Sequence, residues 1–389
     1  MCVLGIELMA ISKTKKFSLK DELYNPKKVE KIAQEIKEVY PLFNNKRFID
    51  DVLIQFPKLE LKERIYHIRE MFKKYLPLDY IKATNILLKA LPPELDNTKN
   101  DDDFGDFIYA PYSDFVVTYG CSEEYLDFSL NALRDMTKRF SVEYSIREFI
   151  NLFPIKTLAI LEQCGVSENY HERRLASEGL RPKLPWAKKL TIDYRLPLKH
   201  LDLLYSDKTR YVTRSVANHL NDIAKIDASL VLETLNRWKS SKKQVPKEME
   251  FIVNNALRTL LKQGNKEALE MLGFIKEPPI EVVEFRLKAA RVFIGEALEF
   301  EVELLARDEA MLMVDYVLHF CTKVGKLGPK VHKLKKLSLK KNEKIILKKR
   351  HPLKANMSTR TLYAGKHLLE LQINGSIVYS KSFVLEKVL

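Results

Sequence analysis

The segment Tyr170-His-Glu-Arg-Arg-Leu-Ala176 recurs twice in altered form, as Tyr211-Val-Thr-Arg-Ser-Val-Ala217 and as Phe251-Ile-Val-Asn-Asn-Ala-Leu257. The copies are spaced about 40 residues apart, and repeats of about 40 to 47 residues built from helix pairs are typical of HEAT and armadillo solenoids. The repeat therefore predicts a mainly α protein built on a HEAT-like solenoid.

The region around these copies, from about Asn25 to Phe274, is poor in glycine and has apolar residues at helical spacing. Asn25-Pro26 is typical of a helix start, since asparagine caps a helix and proline fits its first turn. We predict further helices over residues 59–75, 78–91, 123–140 and 145–161. The acidic stretch 96–106 is predicted to be a surface loop.

The pattern changes after Pro278-Pro279, where short stretches that alternate between apolar and polar residues follow one another. Asn374-Gly375 between two such stretches is a strong signal for a β-hairpin. Seven or eight short strands in about 110 residues are typical of an immunoglobulin-like sandwich. We therefore predict a HEAT-like helical domain at residues 17–275 and an immunoglobulin-like β-sandwich at residues 278–389.

The chain of 389 residues has a formal net charge of +14 and an isoelectric point near 9.3, which favours a polyanionic partner such as nucleic acid. Its four cysteines have no paired spacing and are predicted to be reduced thiols. The apolar start Met1–Ile11 is too short to span a membrane. We predict a cytoplasmic, nucleoid-associated protein that acts as a monomer and contacts no membrane.

Basic residues are concentrated in the predicted sandwich. Between Lys323 and Lys354 there are thirteen lysines and arginines but one acid, Glu343. Lysines also protect the open edges of β-sheets from aggregation, so one or two of them could have that purpose alone. Thirteen indicate a surface that faces phosphates.

Glu178 lies at the end of a predicted helix in His171-Glu-Arg-Arg-Leu-Ala-Ser-Glu-Gly-Leu-Arg-Pro-Lys-Leu-Pro-Trp186. Gly179 is predicted to end this helix with a positive φ. The helix dipole disfavours an acid in the last turn, and such breaks of a local rule are expected at functional sites. The alternative is an ordinary ion pair from Arg174 to Glu178 on a solvated helix face.

The second copy of the repeat carries another acid, Asp222, which shares a helical face with Arg214 and Asn218. Two acids in an arginine-lined groove would weaken the binding of DNA phosphates. They suit the cleavage of an N-glycosidic bond, whose transition state carries positive charge on the sugar. Trp186 could press against the sugar or a cationic base, or else be a hydrophobic plug behind Pro185.

The sequence contains no phosphate-binding glycine loop, no zinc-protease motif and no calcium loop. The histidines His67, His171, His200 and His219 lack the spacing of metal ligands and are predicted to be structural. We therefore expect no metal and no organic cofactor.

These motifs resemble those of the DNA alkylation-repair glycosylases of the AlkC branch. The resemblance is carried by Arg173–Trp186 and by Arg214–Asp222, with support from Lys20–Leu23, Leu61–Ile65 and Thr137–Glu143. It extends over about residues 17 to 275, and the basic sandwich resembles an appendage of one subgroup.

The resemblance implies a monofunctional glycosylase that removes cationic alkylated bases such as N3-methyladenine and N3-methylcytosine from double-stranded DNA. By motif match, Glu178 would be the principal catalytic carboxylate, Glu143 and Asp222 supporting acids, and Trp186 an aromatic wall. The alternative is a non-catalytic HEAT scaffold that binds nucleic acid or protein. The residues predicted to contact DNA are Arg173, Arg174, Arg181, Lys183, Arg214, Asn218, Arg258, Lys262, Lys333, Lys335 and Lys336.

Overall fold

The computed structural model of the chain describes residues 18–101, 103–322, 327–355 and 361–387. The chain forms two compact units, which divide between Ser215 and Val216. Some residues covered by the sequence-based predictions lie outside the described ranges: Met1–Phe17, Asp102 in the acidic loop, and Lys323 and Lys326 in the basic segment.

The first unit is helical. Its helices are α1 (Leu19–Leu23), α2 (Pro26–Val39), α3 (Asn45–Leu53), α4 (Leu61–Tyr75), α5 (Tyr80–Lys89), α6 (Ala110–Gly120), α7 (Leu126–Met136), α8 (Ile146–Leu152), α9 (Pro154–Gly165), α10 (Tyr170–Glu178), α11 (Leu198–Leu204) and the first part of α12 (Arg210–Ile223). Helix α2 begins as predicted, because the Asn25 side chain accepts a hydrogen bond from the Lys28 amide.

The predicted helix over residues 145–161 is wrong at one point, since the structure has two helices there. Helix α8 ends at Leu152 and α9 begins at Pro154, with Phe153 between them at φ −130° and ψ 56°. Proline has no amide hydrogen for the preceding turn, but it fits the first turn of a new helix. Pro154 therefore separates α8 from α9.

The second unit begins with the rest of α12 and continues with four helices. These are α13 (Ala228–Ser241), α14 (Pro246–Ala256), α15 (Arg258–Lys262) and α16 (Lys266–Met271). The three copies of the repeat lie on α10, α12 and α14, and one helix, α11 or α13, separates each copy from the next. This alternation fits a repeat made of helix pairs, as the sequence predicted.

Eight strands follow in the described residues. They are β1 (Ile280–Leu287), β2 (Arg291–Phe293), β3 (Ala297–Ala306), β4 (Ala310–Cys321), β5 (Leu327–Leu339), β6 (Lys344–Pro352), β7 (Gly365–Ile373) and β8 (Ser376–Glu386). One sheet has the order β1-β3-β6 and the other the order β2-β8-β7-β4-β5. The core contains buried apolar residues of both sheets, among them Phe300, Leu312 and Leu371. The predicted fold class, helices followed by an immunoglobulin-like domain, is confirmed.

The predicted Asn374-Gly375 turn joins β7 to β8, and both residues have positive φ, 46° and 80°. The buried Asn374 side chain donates to the carbonyl oxygen of Ile275 at 2.6 Å. A side chain on Gly375 would collide with the backbone of Gly264. The tip of this hairpin therefore packs directly against the chain around α15 and α16 within the second unit.

Candidate active site

Glu178 lies in the last turn of α10, and only 5 % of it is exposed. Its Oε1 accepts a hydrogen bond from Arg181 Nη1 at 2.6 Å, and its Oε2 accepts one from Ser215 Oγ at 2.6 Å. Burial by itself would raise the pKa of Glu178, but Arg174, Arg181 and Ser215 outweigh it and lower that pKa below its ordinary value. The carboxylate is therefore ionised at neutral pH although it is buried.

Arg174 connects Glu178 to a second acid, Glu143. Its Nη2 lies 3.8 Å from Glu178 Oε1, and its Nη1 lies 3.4 Å from Glu143 Oε2. The same Nη1 donates to Ser141 Oγ at 2.6 Å, and Ser141 is hydrogen-bonded to Glu143. The ion pair from Arg174 to Glu178 exists, but it is buried and does not lie on a solvated face. These residues form one group, the carboxylate cluster: Ser141, Glu143, Arg174, Glu178, Arg181 and Ser215.

Gly179 does not have the predicted positive φ, since its φ is −62° and its ψ is −31°. The α-helical backbone continues through it for one more residue. A Cβ at this position would lie 2.7 Å from Ile146 Cγ2 and 3.0 Å from the Leu175 carbonyl oxygen. Glycine is required here because α8 approaches closely, and left-handed geometry is not the reason.

We expect Gly179→Ala to lower the free energy of unfolding by about 2 kcal/mol, because the added methyl overpacks the contact with Ile146. The measurement is urea denaturation. Gly165→Ala is the control, since its Cβ would meet only ordinary contacts at 3.8 Å and 4.0 Å. Equal stability of the two variants would contradict a close contact between α8 and Gly179.

A buried residue, Arg147 on α8, binds the loop that follows α10. Its Nε donates to the Lys188 carbonyl at 2.6 Å, and its Nη1 donates to the carbonyls of Gly179 and Arg181 at 3.0 Å and 2.8 Å. These bonds fix both ends of the segment between Glu178 and Trp186.

Trp186 stands at the end of this segment with a positive φ of 64°, and 69 % of the residue is exposed. The exposure rules out the hydrophobic plug behind Pro185. Its carbonyl accepts a hydrogen bond from Lys62 Nζ at 2.8 Å. Trp186 borders a cavity of about 200 Å³, which also touches Ser141 of the carboxylate cluster. Other aromatic residues line this cavity: Tyr66, Phe107, Phe140 and Tyr144.

Most arginines predicted to contact DNA in the first unit are engaged with acids of the protein. Arg173 pairs with Asp207 at 2.5 Å, Arg214 pairs with Asp101, and Arg181 is buried against Glu178. Lys183 is exposed. The contacts of these residues with DNA stay predictions, as does the catalytic part assigned to Glu143, Glu178 and Trp186.

In the second unit, Asp222 is buried and pairs with Lys225 at 2.9 Å. Asn218 and Arg258 are half-buried, and Lys262 is exposed. The contribution of Asp222 to the chemistry stays a prediction.

The basic segment of the β-domain divides into two groups. On β6, three basic residues pair with acids of the neighbouring strand β3: Lys344 with Glu303, Lys348 with Glu301, and Arg350 with Glu299. On β5, the edge strand of the larger sheet, Lys333, Lys335 and Lys336 are exposed. Within the described residues, these three make no ion pair, although the Lys336 ammonium lies 5.2 Å from the Phe274 ring centroid.

Sequence reasoning missed several residues that build the site. Ser141 donates a hydrogen bond to Glu143, Ser215 donates one to Glu178, and the ring of Tyr211 contacts Arg174. Signals existed for all three: Ser141 lies inside the motif Thr137–Glu143, while Tyr211 and Ser215 occupy the repeat positions of Tyr170 and Arg174.

The acidic stretch is a surface loop, as predicted, but it also caps two helices. Asn97 Oδ1 accepts from the Tyr170 amide at the start of α10. Asn100 Oδ1 accepts from the Arg210 amide, and the Asn100 carbonyl accepts from the Tyr211 amide. The loop thus satisfies the first amides of the two helices that carry Glu178 and Ser215.

No group of three or more histidines, cysteines, aspartates or glutamates in the described part of the chain is arranged to hold a metal ion. The buried His171 has its pKa lowered to about 4, mainly by burial. Among the described helices, none is long and apolar enough to cross a membrane.

The fold and site define a helical repeat protein with an immunoglobulin-like domain. Residues 281–387 match the family model described as "Uncharacterised protein YhaZ, C-terminal Ig-like domain". The uncharacterized protein YhaZ of Bacillus subtilis (strain 168) is 31 % identical over 366 residues, which cover 93 % of this chain and 98 % of YhaZ.

A solved structure is also similar to nearly the whole chain. It is the Pseudomonas fluorescens alkylpurine DNA glycosylase AlkC bound to DNA containing an abasic site analog. The match has a TM-score of 0.86 and 30 % sequence identity, and it covers 95 % of this chain and 99 % of that chain. The chain belongs to the AlkC family.

Proposed function

We propose that the protein is a monofunctional DNA N-glycosylase, which hydrolyses the bond between deoxyribose and a cationic alkylated base such as N3-methyladenine or N3-methylcytosine in double-stranded DNA. The observation that carries the proposal is the buried, ionised Glu178, held by Arg181 and Ser215 beside Glu143. The similarity to AlkC, a glycosylase solved with DNA, supports it. Acting on DNA would place the protein in the cytoplasm, at the nucleoid. We also propose that it acts as a monomer.

In the proposed reaction, the bond between C1′ and the base nitrogen breaks first, and its electron pair neutralises the cationic base. The base therefore needs no general acid. The positive charge that develops on the sugar is stabilised by the Glu178 carboxylate. Water then attacks C1′ and gives its proton to Glu178 or to solvent.

The donors around Glu178 suit this role. Arg174 and Arg181 keep the buried carboxylate ionised before the substrate arrives. Each carboxylate oxygen can accept two hydrogen bonds, so Oε1 and Oε2 can still bind the attacking water. We assign supporting charge stabilisation to Glu143 and Asp222, and an aromatic surface for the sugar or cationic base to Trp186.

The test is a gel assay for abasic sites. Methylated duplex DNA is incubated with excess protein, and abasic sites are cleaved with mild alkali. We expect cleavage at alkylated purines and cytosines and none in unmethylated duplex. Binding without any abasic sites would favour the alternative of a non-catalytic HEAT scaffold.

Activity is expected to persist in excess EDTA, because the proposed leaving group supplies its own activation and the carboxylate cluster needs no metal. Single-turnover base release with and without EDTA measures this. Loss of release on chelation, restored by one particular metal ion, would contradict the proposed mechanism.

The β5 lysines are expected to contribute to DNA binding more than the paired β6 residues. Each phosphate contact adds about 0.9 to the slope of log affinity against log salt. Changing Lys333, Lys335 and Lys336 to glutamine should therefore lower that slope by about two to three, as measured by fluorescence anisotropy at several salt concentrations.

The matched control changes Lys344, Lys348 and Arg350 to glutamine. It removes the same charge from residues that already pair with Glu303, Glu301 and Glu299. Its slope should fall by less than about one. If the slope falls equally in both variants, only the net charge of the protein affects DNA binding. If the slope of the β5 variant is unchanged, the β5 lysines do not contact DNA and serve to protect the sheet edge from aggregation.

A further inference from the structure

Arg174 rests on the face of an aromatic ring that the proposed chemistry has not used. Its guanidinium carbon lies 4.5 Å from the centroid of the Tyr211 ring, within the range of a cation–π contact. Tyr211 is only 7 % exposed. It belongs to the first turn of α12, where its amide is bound by the Asn100 carbonyl.

The contact depends on the ring and not on the hydroxyl group. The buried Tyr211 hydroxyl has no hydrogen-bond partner within the described residues. The ring is held by its neighbours, since Tyr170 meets it at 6.0 Å and 90°, and His171 at 5.9 Å and 70°. His171 is neutral at physiological pH, because its pKa is lowered to about 4. The face that Arg174 covers is therefore fixed before substrate binds.

The guanidinium group of Arg174 contacts two acids at once, which requires it to keep one orientation. Its two terminal nitrogens approach different acids, Nη1 at Glu143 and Nη2 at Glu178. An arginine side chain is flexible, and this double contact requires one orientation of its plane. A ring held against the guanidinium carbon restricts that rotation, while the terminal nitrogens stay bound to the carboxylates.

We propose that Tyr211 is a positioning residue for the Glu178 chemistry: its ring orients Arg174 so that one guanidinium serves Glu143 and Glu178 together. The inference rests on the proposed function, which assigns the chemistry to Glu178. Tyr211 acts through Arg174 and touches neither the substrate nor the reacting atoms.

The effect of Arg174 on the pKa of Glu178 depends on the other groups that face Glu178. Its own helix and the following loop contribute Arg174 and Arg181, the segment before α8 contributes Glu143 and Tyr144, and α12 contributes Ser215. Without an ordered Arg174, burial and the neighbouring Glu143 both favour the protonated form of Glu178. The pKa of Glu178 then rises, and the acidic limb of base release moves to higher pH.

The experiment titrates Glu178 directly in the full chain. The protein is labelled with ¹³C at glutamate side-chain carboxyls, and the Glu178 signal is identified by its absence in Glu178→Gln. We expect Tyr211→Met to raise the pKa of Glu178 by about one unit or more, which is a tenfold change in its ionisation. Tyr211→Phe keeps the ring and should titrate as the wild type does.

Phe72→Leu is the control for general damage, because it removes a buried ring of the same unit whose ring contacts are with Phe48, Tyr112 and Phe115, away from Tyr211 and Arg174. It should lower thermal stability without moving the titration. If Tyr211→Met does not fold, a perfluorinated phenylalanine at position 211 keeps the ring shape but reverses its electrostatic attraction for a cation. That replacement should also raise the pKa of Glu178.

An unchanged Glu178 titration in Tyr211→Met or in the perfluorinated protein would overturn the proposal. So would an equal shift in Tyr211→Phe, which would implicate the hydroxyl group, or in Phe72→Leu, which would indicate general damage. The titration requires no turnover, so it stands apart from the proposed activity. If the wild-type protein forms no abasic sites, the proposed glycosylase activity is refuted. The titration would still decide whether Tyr211 orients Arg174.

Discussion

Glu178→Gln is expected to lower single-turnover base release by about 10²–10³ or more, the range found when one preorganised electrostatic group is removed. The substitution keeps the shape of the side chain but removes its charge. Its amide oxygen can still accept from Arg181, and its amide nitrogen can donate to Ser215, since a hydroxyl both donates and accepts. DNA binding should hold or tighten, because a negative charge is lost.

The control for this variant is Glu172→Gln on the same helix. Glu172 is also buried and paired, with Arg134 at 2.6 Å and Lys138 at 3.5 Å, but it lies in the first turn of α10. It should lose stability and keep base release within a few-fold of the wild type. If Glu178→Gln releases bases at a near-wild-type rate, or if both variants lose activity equally, Glu178 is not the catalytic carboxylate.

The same variant has an expected effect on acid stability. The folded-state pKa of Glu178 is lowered, so its ionised form stabilises the fold above the unfolded pKa, and this contribution disappears as pH falls through the folded pKa. Glu178→Gln should therefore lose stability mainly at neutral pH and approach the wild type in acid. Thermal melts from neutral pH down to about pH 2, well below the ordinary glutamate pKa of about 4.3, measure the difference.

Arg147→Met is expected to have the largest effect on the structure around the site. The wild-type guanidinium serves three carbonyl oxygens from a buried position, and hydrogen bonds from charged groups contribute about 1.5–3 kcal/mol each. Methionine fills similar space but donates nothing. We expect a loss of about 3–5 kcal/mol in the free energy of unfolding, and faster tryptic cleavage after Lys183, Lys188 or Lys189.

Asn151→Ala is the matched control, because Asn151 also lies on α8 and holds the same loop. It donates to the Lys189 carbonyl at 3.0 Å and accepts from the Thr191 amide, but these bonds are exposed to solvent. Its cost should stay near 1 kcal/mol or below. A comparable loss in both variants would show that Arg147 has no special part in holding the loop.

Sequence patterns were sufficient for two features whose deciding interactions are local. The Asn25 cap and the Asn374-Gly375 turn depend on neighbouring backbone groups, and both formed as predicted. The prediction of one helix over residues 145–161 is wrong, because Pro154 begins a new helix there. Pro154 is also a local feature and can be read from the sequence.

Part of the candidate site could also be found from the sequence. Glu178 stood out because an acid at the end of a helix opposes the dipole, and the repeat aligned α10 with α12. Motif and repeat positions marked Ser141, Ser215 and Tyr211, but which group each of them contacts could not be predicted in this way. They come from three different segments, and only packing brings them to Arg174 and Glu178.

The sequence by itself determined the order of helices and strands, the position of Glu178 and the excess of positive charge, since each depends on residue type or short-range spacing. Tertiary structure decided which basic residues are paired with acids of the protein and which are not. The antiparallel pairing of β3 with β6 places three glutamates beside three basic residues. On β5, Lys335 and Lys336 lie opposite Val314 and Met313 of β4, and only Lys333 of the three lysines lies opposite an acid, Asp315. Tertiary structure likewise decided that Gly179 accommodates Ile146, because a steric contact between two helices has no signature in either helix alone.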